Sequence, residues 1–255
     1  MDKEREKDVL STSEEATIWR YMDFTKYVSL LDTRALYFCR ADMLGDSFEG
    51  SYSKANLRLR PILYKDKIPE DALRTASIFY KQARRYTVLN CWNISNFDSA
   101  ALWSHYLRSG DGVAIQSTFS RLTRCFNPQA ENEVHIGRVK YIDYETEWLP
   151  EGNVLYPFIH KRKSFENEQE LRAVIQKFPS SAKFNERGEG ELNLTQDVFE
   201  KGVYVDIDLS VLIERVYVSP TSPDWFLDLI KSISKRYNMD EEIINSGLAN
   251  KNPVY

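Results

Sequence analysis

The chain has 255 residues, with 34 Lys and Arg against 38 Asp and Glu for a formal charge of −4, and is 42% hydrophobic and 28% charged. That balance excludes the apolar-poor, charge-dominated composition of a disordered protein, and the acidic net charge argues against a surface that coats nucleic acid or membranes as a whole, leaving only local basic patches. Cys39, Cys91 and Cys125 form no disulfide framework or CxxC pair, the MDKEREKDVLSTSEEA start is neither a signal nor a transit peptide, and no apolar run nears the ~20 residues that span a bilayer.

The expectation is therefore a cytoplasmic protein without a membrane partner: a flexible N-terminus over 1–16 and one α+β domain over 17–255. TIWRYMD reads as a strand, and Asp23 is placed to cap a helix whose Phe24, Tyr27, Val28 and Leu31 recur at helical spacing. ALYFCRA is a second strand, with Leu36, Phe38 and Arg40 on one face and Tyr37 and Cys39 on the other. DMLGDSFEGS is a loop rich in acids.

Residues 53–88 read as helical and form the most basic part of the chain. The plain reading is a solvated face; the other is an anion or nucleic-acid contact. YTVLNCWNIS is a strand, and Asp98 is placed to cap a helix carrying Leu102, Trp103, Tyr106 and Leu107. GVAIQST is a buried strand. EVHIGRVKYIDY is a longer one whose alternation changes phase at Gly137, the mark of a bulge. Residues 179–200 are a polar excursion, GVYVDID and LIERVYVSP are strands, and Ser222 and Pro223 open a last helix. Irregular alternation of strands and helices, with no repeated βα unit, predicts an α+β fold with a mixed or antiparallel central sheet and flanking helices.

Most catalytic signatures are missing. His105, His135 and His160 are remote from one another in sequence and fit no HxxxH or HxE pattern, so no metal is expected. There is no GxxxxGK[ST] phosphate loop, no GxGxxG and no GxSxG.

Four stretches stand in a telling order: WRYMDF (19–24), LYFCRADMLGDSFEG (36–50), CWNIS with ALWSHY (91–106), and FENEQELRAVI (165–175). Together they resemble a widespread bacterial family known only as a domain of unknown function, with an R/K-Y start, an aromatic-Phe strand leading to D-x-F-E, and an E-x-E-x-R strand. Gly45 and Ser47 flank Asp46 where that family more usually has Asn and Pro. Read as a strand, 168–175 puts Glu168, Glu170, Arg172 and Val174 on one face and Leu171, Ala173 and Ile175 on the other.

Such an E-x-E resembles the terminal motif of ADP-ribosyltransferases. The resemblance implies NAD as substrate, Glu170 as the carboxylate stabilising oxocarbenium character at the ribose, and Glu168 as its acceptor-side partner. It also implies that Arg20, Tyr21, Tyr37 and Arg40 hold the dinucleotide. The middle S-T-S motif of arginine-type transferases has only a partial echo in Ser117 and Thr118. Asp46, Phe48, Glu49, Trp92, Trp103, Tyr106 and Arg172 are further cleft candidates. The acceptor would be nucleic acid or protein, in bacterial conflict or phage defence.

Plainer alternatives stay open. Glu168, Glu170 and Arg172 can be a surface charge ladder, and Trp92, Trp103 and Tyr106 can be core. A different class also fits: a non-catalytic sensor or nucleic-acid-binding component of a defence system, gripping phosphates with the cations of 54–85. Oligomeric state is not legible.

Overall fold

The computed structural model describes residues 13–65, 67–107, 110–179, 183–184, 190–191, 197–250 and 252. Strand β1 (Thr17–Asp23) runs directly into α1 (Phe24–Thr33), because the Asp23 carboxylate accepts from the Lys26 N–H at 2.9 Å and satisfies one of the orphan donors of the first turn. Arg34, in the left-handed region at φ 49°, ends that helix and starts β2 (Ala35–Arg40). A 3-10 turn, α2 (Lys54–Leu63) and α3 (Glu70–Ala83) precede β3 (Thr87–Ile94). Then come α4 (Ala100–Tyr106), β4 (Gly112–Thr118), α5 (Phe119–Arg124), β5 (His135–Arg138) and β6 (Lys140–Ile142).

Strand β7 (His160–Arg162), a 3-10 helix (Lys163–Glu168) and β8 (Glu170–Gln176) follow. The rest is β9 (Lys183–Phe184), β10 (Gly190–Glu191), β11 (Gly202–Asp206), α6 (Leu209–Leu212), β12 (Arg215–Val218), α7 (Asp224–Arg236) and β13 (Glu242–Asn245).

Nine strands form one open, mostly antiparallel sheet with helices around it, as an α+β fold requires. Its main path is β11-β2-β3-β1-β4-β12-β13, in which only β12 and β13 run parallel. Strand β8 pairs with β3 from Thr87 to Asn93 along one edge, and β5 adds to β8. The other edge of β3 is shared: β2 takes Val88 and Leu89, and β1 takes Asn93 and Ile94. Between these contacts the sheet forks. In the gap, Arg20 Nη1 of β1 donates to the Cys91 carbonyl of β3 at 2.6 Å and Asn90 Nδ2 of β3 to the Tyr37 carbonyl of β2 at 2.9 Å, so side chains bridge β3 to both diverging arms.

The main core fills one face of the sheet, where Ile18, Leu36, Phe38, Ile115 and Leu171 meet Leu31 of α1 and Phe226 and Ile230 of α7. Each such side chain contributes about 1.5–3 kcal/mol on burial.

Several expected boundaries move. Residues 53–88 divide into two helices, and β3 takes the last two of these residues. Ser99 caps α4, while Asp98 accepts from Trp103 Nε1 at 3.0 Å. The 133–144 stretch is two strands broken at Val139 rather than one strand bulged at Gly137: Val139 N–H donates to the Glu170 carbonyl and Lys140 N–H to that of Ile159, so the chain leaves one sheet for another. Gly137 itself pairs regularly opposite Arg172. Residues 1–12 of the expected N-terminal segment lie outside the described residues, but the carbonyls of Glu14 and Ala16 accept from Ser120 and Phe119 and tie this end to α5. Much of the 179–200 excursion also lies outside them.

Candidate functional site

A cavity of ≈ 510 Å³ occupies the fork. Strand β1 brings Trp19, Arg20 and Tyr21, β2 brings Tyr37 and Cys39, β3 brings Cys91, Trp92 and Asn93, α4 brings Tyr106, and the entry to β8 brings Glu168 and Glu170. The volume lies within the ordinary range of small-molecule sites. Seven of the sequence candidates therefore share one wall system: Arg20, Tyr21, Tyr37, Trp92, Tyr106, Glu168 and Glu170.

The two carboxylates are not successive same-face residues of one strand, as the period-2 reading has it. Glu168 closes the 3-10 helix, Gln169 turns into the left-handed region at φ 41°, and Glu170 opens β8. The kink still brings both acids to one cation, for Lys161 Nζ donates to Glu168 Oε2 at 2.6 Å and to Glu170 Oε1 at 2.5 Å. Arg172 Nε holds the other oxygen of Glu170 at 2.7 Å, and its Nη2 donates to Glu49 Oε2 at 3.0 Å. The result is a chain, Glu168–Lys161–Glu170–Arg172–Glu49, buried except at its partly exposed Glu168 end, with three carboxylates and two cations.

Its members differ in proton affinity. Burial, reinforced by the neighbouring Glu170, pushes Glu168 up to about 7, although Lys161 opposes this. Burial would also raise Glu170, but Arg172, then the hydrogen bond with Glu168 and the charge of Lys161, outweigh it and hold this carboxyl well below its ordinary value. Lys161 lies above its usual value, since the attraction of Glu170 and Glu168 exceeds the cost of burial. The chain thus carries a net charge of −1 when Glu168 is ionised and none when it is protonated.

Across the cavity, Arg20 has no carboxylate partner among the described residues. Burial lowers its pKa, and its charge lies 5.9 Å from the Trp92 ring. Tyr106 stacks on Tyr21 at 6.2 Å between centroids, and burial pushes the Tyr21 hydroxyl up to about 12. The Cys91 thiol is also pushed to about 12 by burial and then by Glu170, which keeps it protonated and a poor nucleophile. At the mouth, Tyr37 and Tyr204 lie 5.0 Å apart.

The remaining candidates lie behind or beside this wall. Arg172 and Glu49 are buried and support Glu170 from the rear. Asp46 accepts from Arg162 at 2.7 Å, with that guanidinium 4.3 Å over the Phe48 ring, so the D-S-F-E loop is bolted to β7 and β8 rather than opened to the cavity. Arg40 turns away to Asp42, at 2.7 Å, and to the Phe199 carbonyl. Trp103 packs edge-on against Tyr21 at 5.0 Å. Sequence reasoning missed Lys161, which lies in a three-residue strand of its own, and Tyr141, whose hydroxyl accepts from the Glu170 N–H at 2.8 Å. The only sequence signal for Lys161 was its place in the KRK run.

Among the described residues no three His, Cys, Asp or Glu are grouped to hold a metal, and no helix is long and apolar enough to cross a membrane. No model of a known protein family matches the chain, and no curated protein or solved structure matches it either.

Proposed function

We propose that the forked cavity is the active site of an NAD-dependent ADP-ribosyltransferase-like enzyme. The observation that carries the reading is the pairing, on one aromatic-walled cavity, of two carboxylates whose proton affinities are shifted in opposite directions and a guanidinium with no carboxylate partner among the described residues. Titratable neighbours pushed apart in this way mark an acid–base division of labour. Arg20 suits the diphosphate, and the tyrosines and Trp92 suit the flat rings.

In the reaction, the bond between ribose C1′ and the nicotinamide nitrogen breaks and its electron pair leaves with nicotinamide. The positive charge left on the ribose faces Glu170, whose carboxyl is held below its ordinary value and so ionised at neutral pH. Glu168, with a pKa near neutrality, takes the proton from the attacking N–H or O–H of the acceptor, which is a nucleic acid or a protein. The bacterial-defence setting follows the family resemblance alone.

The test is release of free nicotinamide from NAD by the pure protein, with and without DNA, RNA or lysate. Glu170→Gln should cut the rate roughly a hundred- to a thousandfold, about 3–4 kcal/mol of barrier, with NAD affinity little changed. Glu168→Gln should suppress transfer more than slow hydrolysis. Equal, small effects would reduce the pair to a charge ladder. The exposed Tyr37, Tyr106 and Tyr204 at the mouth favour a second reading, a nucleic-acid sensor that stacks bases without chemistry. Absence of turnover and of NAD binding, with salt-dependent binding of single strands, would put that reading ahead.

A further inference from the structure

Helix α2 is built inside out. Its buried positions are Ala55, Asn56 and Arg60, and the two polar ones grip the 145–151 segment: Asn56 Nδ2 donates to the Leu149 carbonyl at 2.7 Å, and Arg60 Nε to Glu151 at 2.8 Å. The aliphatic residues point outward instead. Leu59 is 38% exposed, Ile62 71% and Leu63 48%, and these stand at i, i+3 and i+4, one continuous ridge. Ile68, 39% exposed, follows in the turn beyond the helix. Scattered exposed aliphatics need no explanation, but a ridge of them on a helix whose inner side is polar does.

The charge around the ridge selects its occupant. On the helix itself Lys54 pairs with Glu145 and Arg60 with Glu151, so neither adds uncompensated charge beside the ridge. Lys65 and Lys67, directly after the ridge, are exposed and have no ion-pair partner among the described residues. A symmetric pairing of two copies would set like charges face to face. Single-stranded nucleic acid is bound by aromatic platforms, and this ridge is aliphatic. Protein interfaces deplete Lys and favour aromatic and Met anchors. Aliphatic side chains flanked by lysines match an anionic lipid surface, which takes the apolar groups into the headgroup boundary and the ammonium groups beside its phosphates.

We infer that Leu59, Ile62, Leu63 and Ile68, with Lys65 and Lys67, form a peripheral docking surface for anionic lipid bilayers. This is contact with one leaflet, without insertion across it, and it does not depend on the chemistry of the cavity.

The full chain is sedimented with vesicles of phosphatidylcholine and, separately, of phosphatidylcholine containing about one-third phosphatidylserine, at ~0.1 M salt. Partitioning should be at least about tenfold stronger on the anionic vesicles and should fall steeply as salt rises. Ile62→Ser with Leu63→Ser should lower it about tenfold, and Lys65→Gln with Lys67→Gln by a similar factor, all with unchanged thermal melts because these side chains are exposed. No binding to anionic vesicles, equal binding to both kinds, or binding indifferent to the Ile62 and Leu63 changes would overturn the inference. So would a concentration-dependent dimer abolished by Ile62→Ser, which would make the ridge an interface between copies. Retention on single-stranded RNA that depends on the same four residues, without vesicle binding, would assign it to nucleic acid and overturn it as well.

Discussion

The two faces of β8 are both buried and could hardly be more different. One presents Leu171, Ala173 and Ile175 to the main core; the other presents Glu170 and Arg172, with Val174 beyond them. The first face is the ordinary solution to burying a strand. The second takes ions out of water, a cost that their mutual attraction recovers only in good geometry, and hydrophobic residues of the same volume would often be as stable or more so. Charges on a face that stability alone would leave apolar are a sign of work, and the charged face is the one that leads to the cavity.

The comparison breaks most visibly at Arg172. Arg172→Met should cost about 3–5 kcal/mol in denaturant unfolding, because Glu170 and Glu49 are left buried without their shared cation. Replacing all three at once by Met, Leu and Leu should recover much of that loss while eliminating the proposed turnover of NAD. A triple variant as unstable as the single one would mean that the charged face is structural.

On the apolar face, Leu171→Ala should cost about 2–4 kcal/mol in the same measurement through lost burial and the cavity left behind. It should leave the proposed NAD reaction of the remaining folded protein nearly unchanged. A selective loss of activity would show that the two faces are not independent.

The smallest effect separates the two carboxylates by pH. Glu168 has a raised folded-state pKa, so its stabilising contribution is complete below its unfolded value of ~4.5 and is lost as pH rises through about 7. Glu170 is depressed, so its contribution is present above ~4.5 and is lost as pH falls from there. Relative to Glu168→Gln, the wild-type chain should lose about 1–2 kcal/mol between pH 4.5 and 7, the full linkage being reduced by solvent at the rim. Thermal melts of both proteins across that range check it, and parallel curves would remove Glu168 as the titrating group.

The fold class was legible because alternation and caps are local: TIWRYMD with Asp23, GVAIQST and ELRAVI all became strands of the sheet. The fork was not legible. It depends on β1 and β2 sharing one edge of β3, a matter of long-range register that no window of sequence contains. Aromatic content pointed to Tyr21, Tyr37, Trp92 and Tyr106 without showing that Arg40 turns outward to Asp42. Lys161 stayed hidden because an isolated lysine carries no periodic signal, and its role appears only when β7 lies beside the entry to β8.

Gln169 has one more consequence. A residue other than glycine at φ 41° costs about 1–2 kcal/mol, and here the conformation is clamped: its Nε2 donates to the Glu166 carbonyl at 2.7 Å, its Oε1 accepts from Arg138 at 2.9 Å, and its carbonyl accepts from the Ile94 N–H at 2.8 Å. Glycine would make the same corner without strain but would leave it free to swing. The corner sets the spacing of Glu168 and Glu170, so their separation is fixed before any ligand arrives. A ligand entering the fork meets preorganised charges and gives up none of its binding energy to align them.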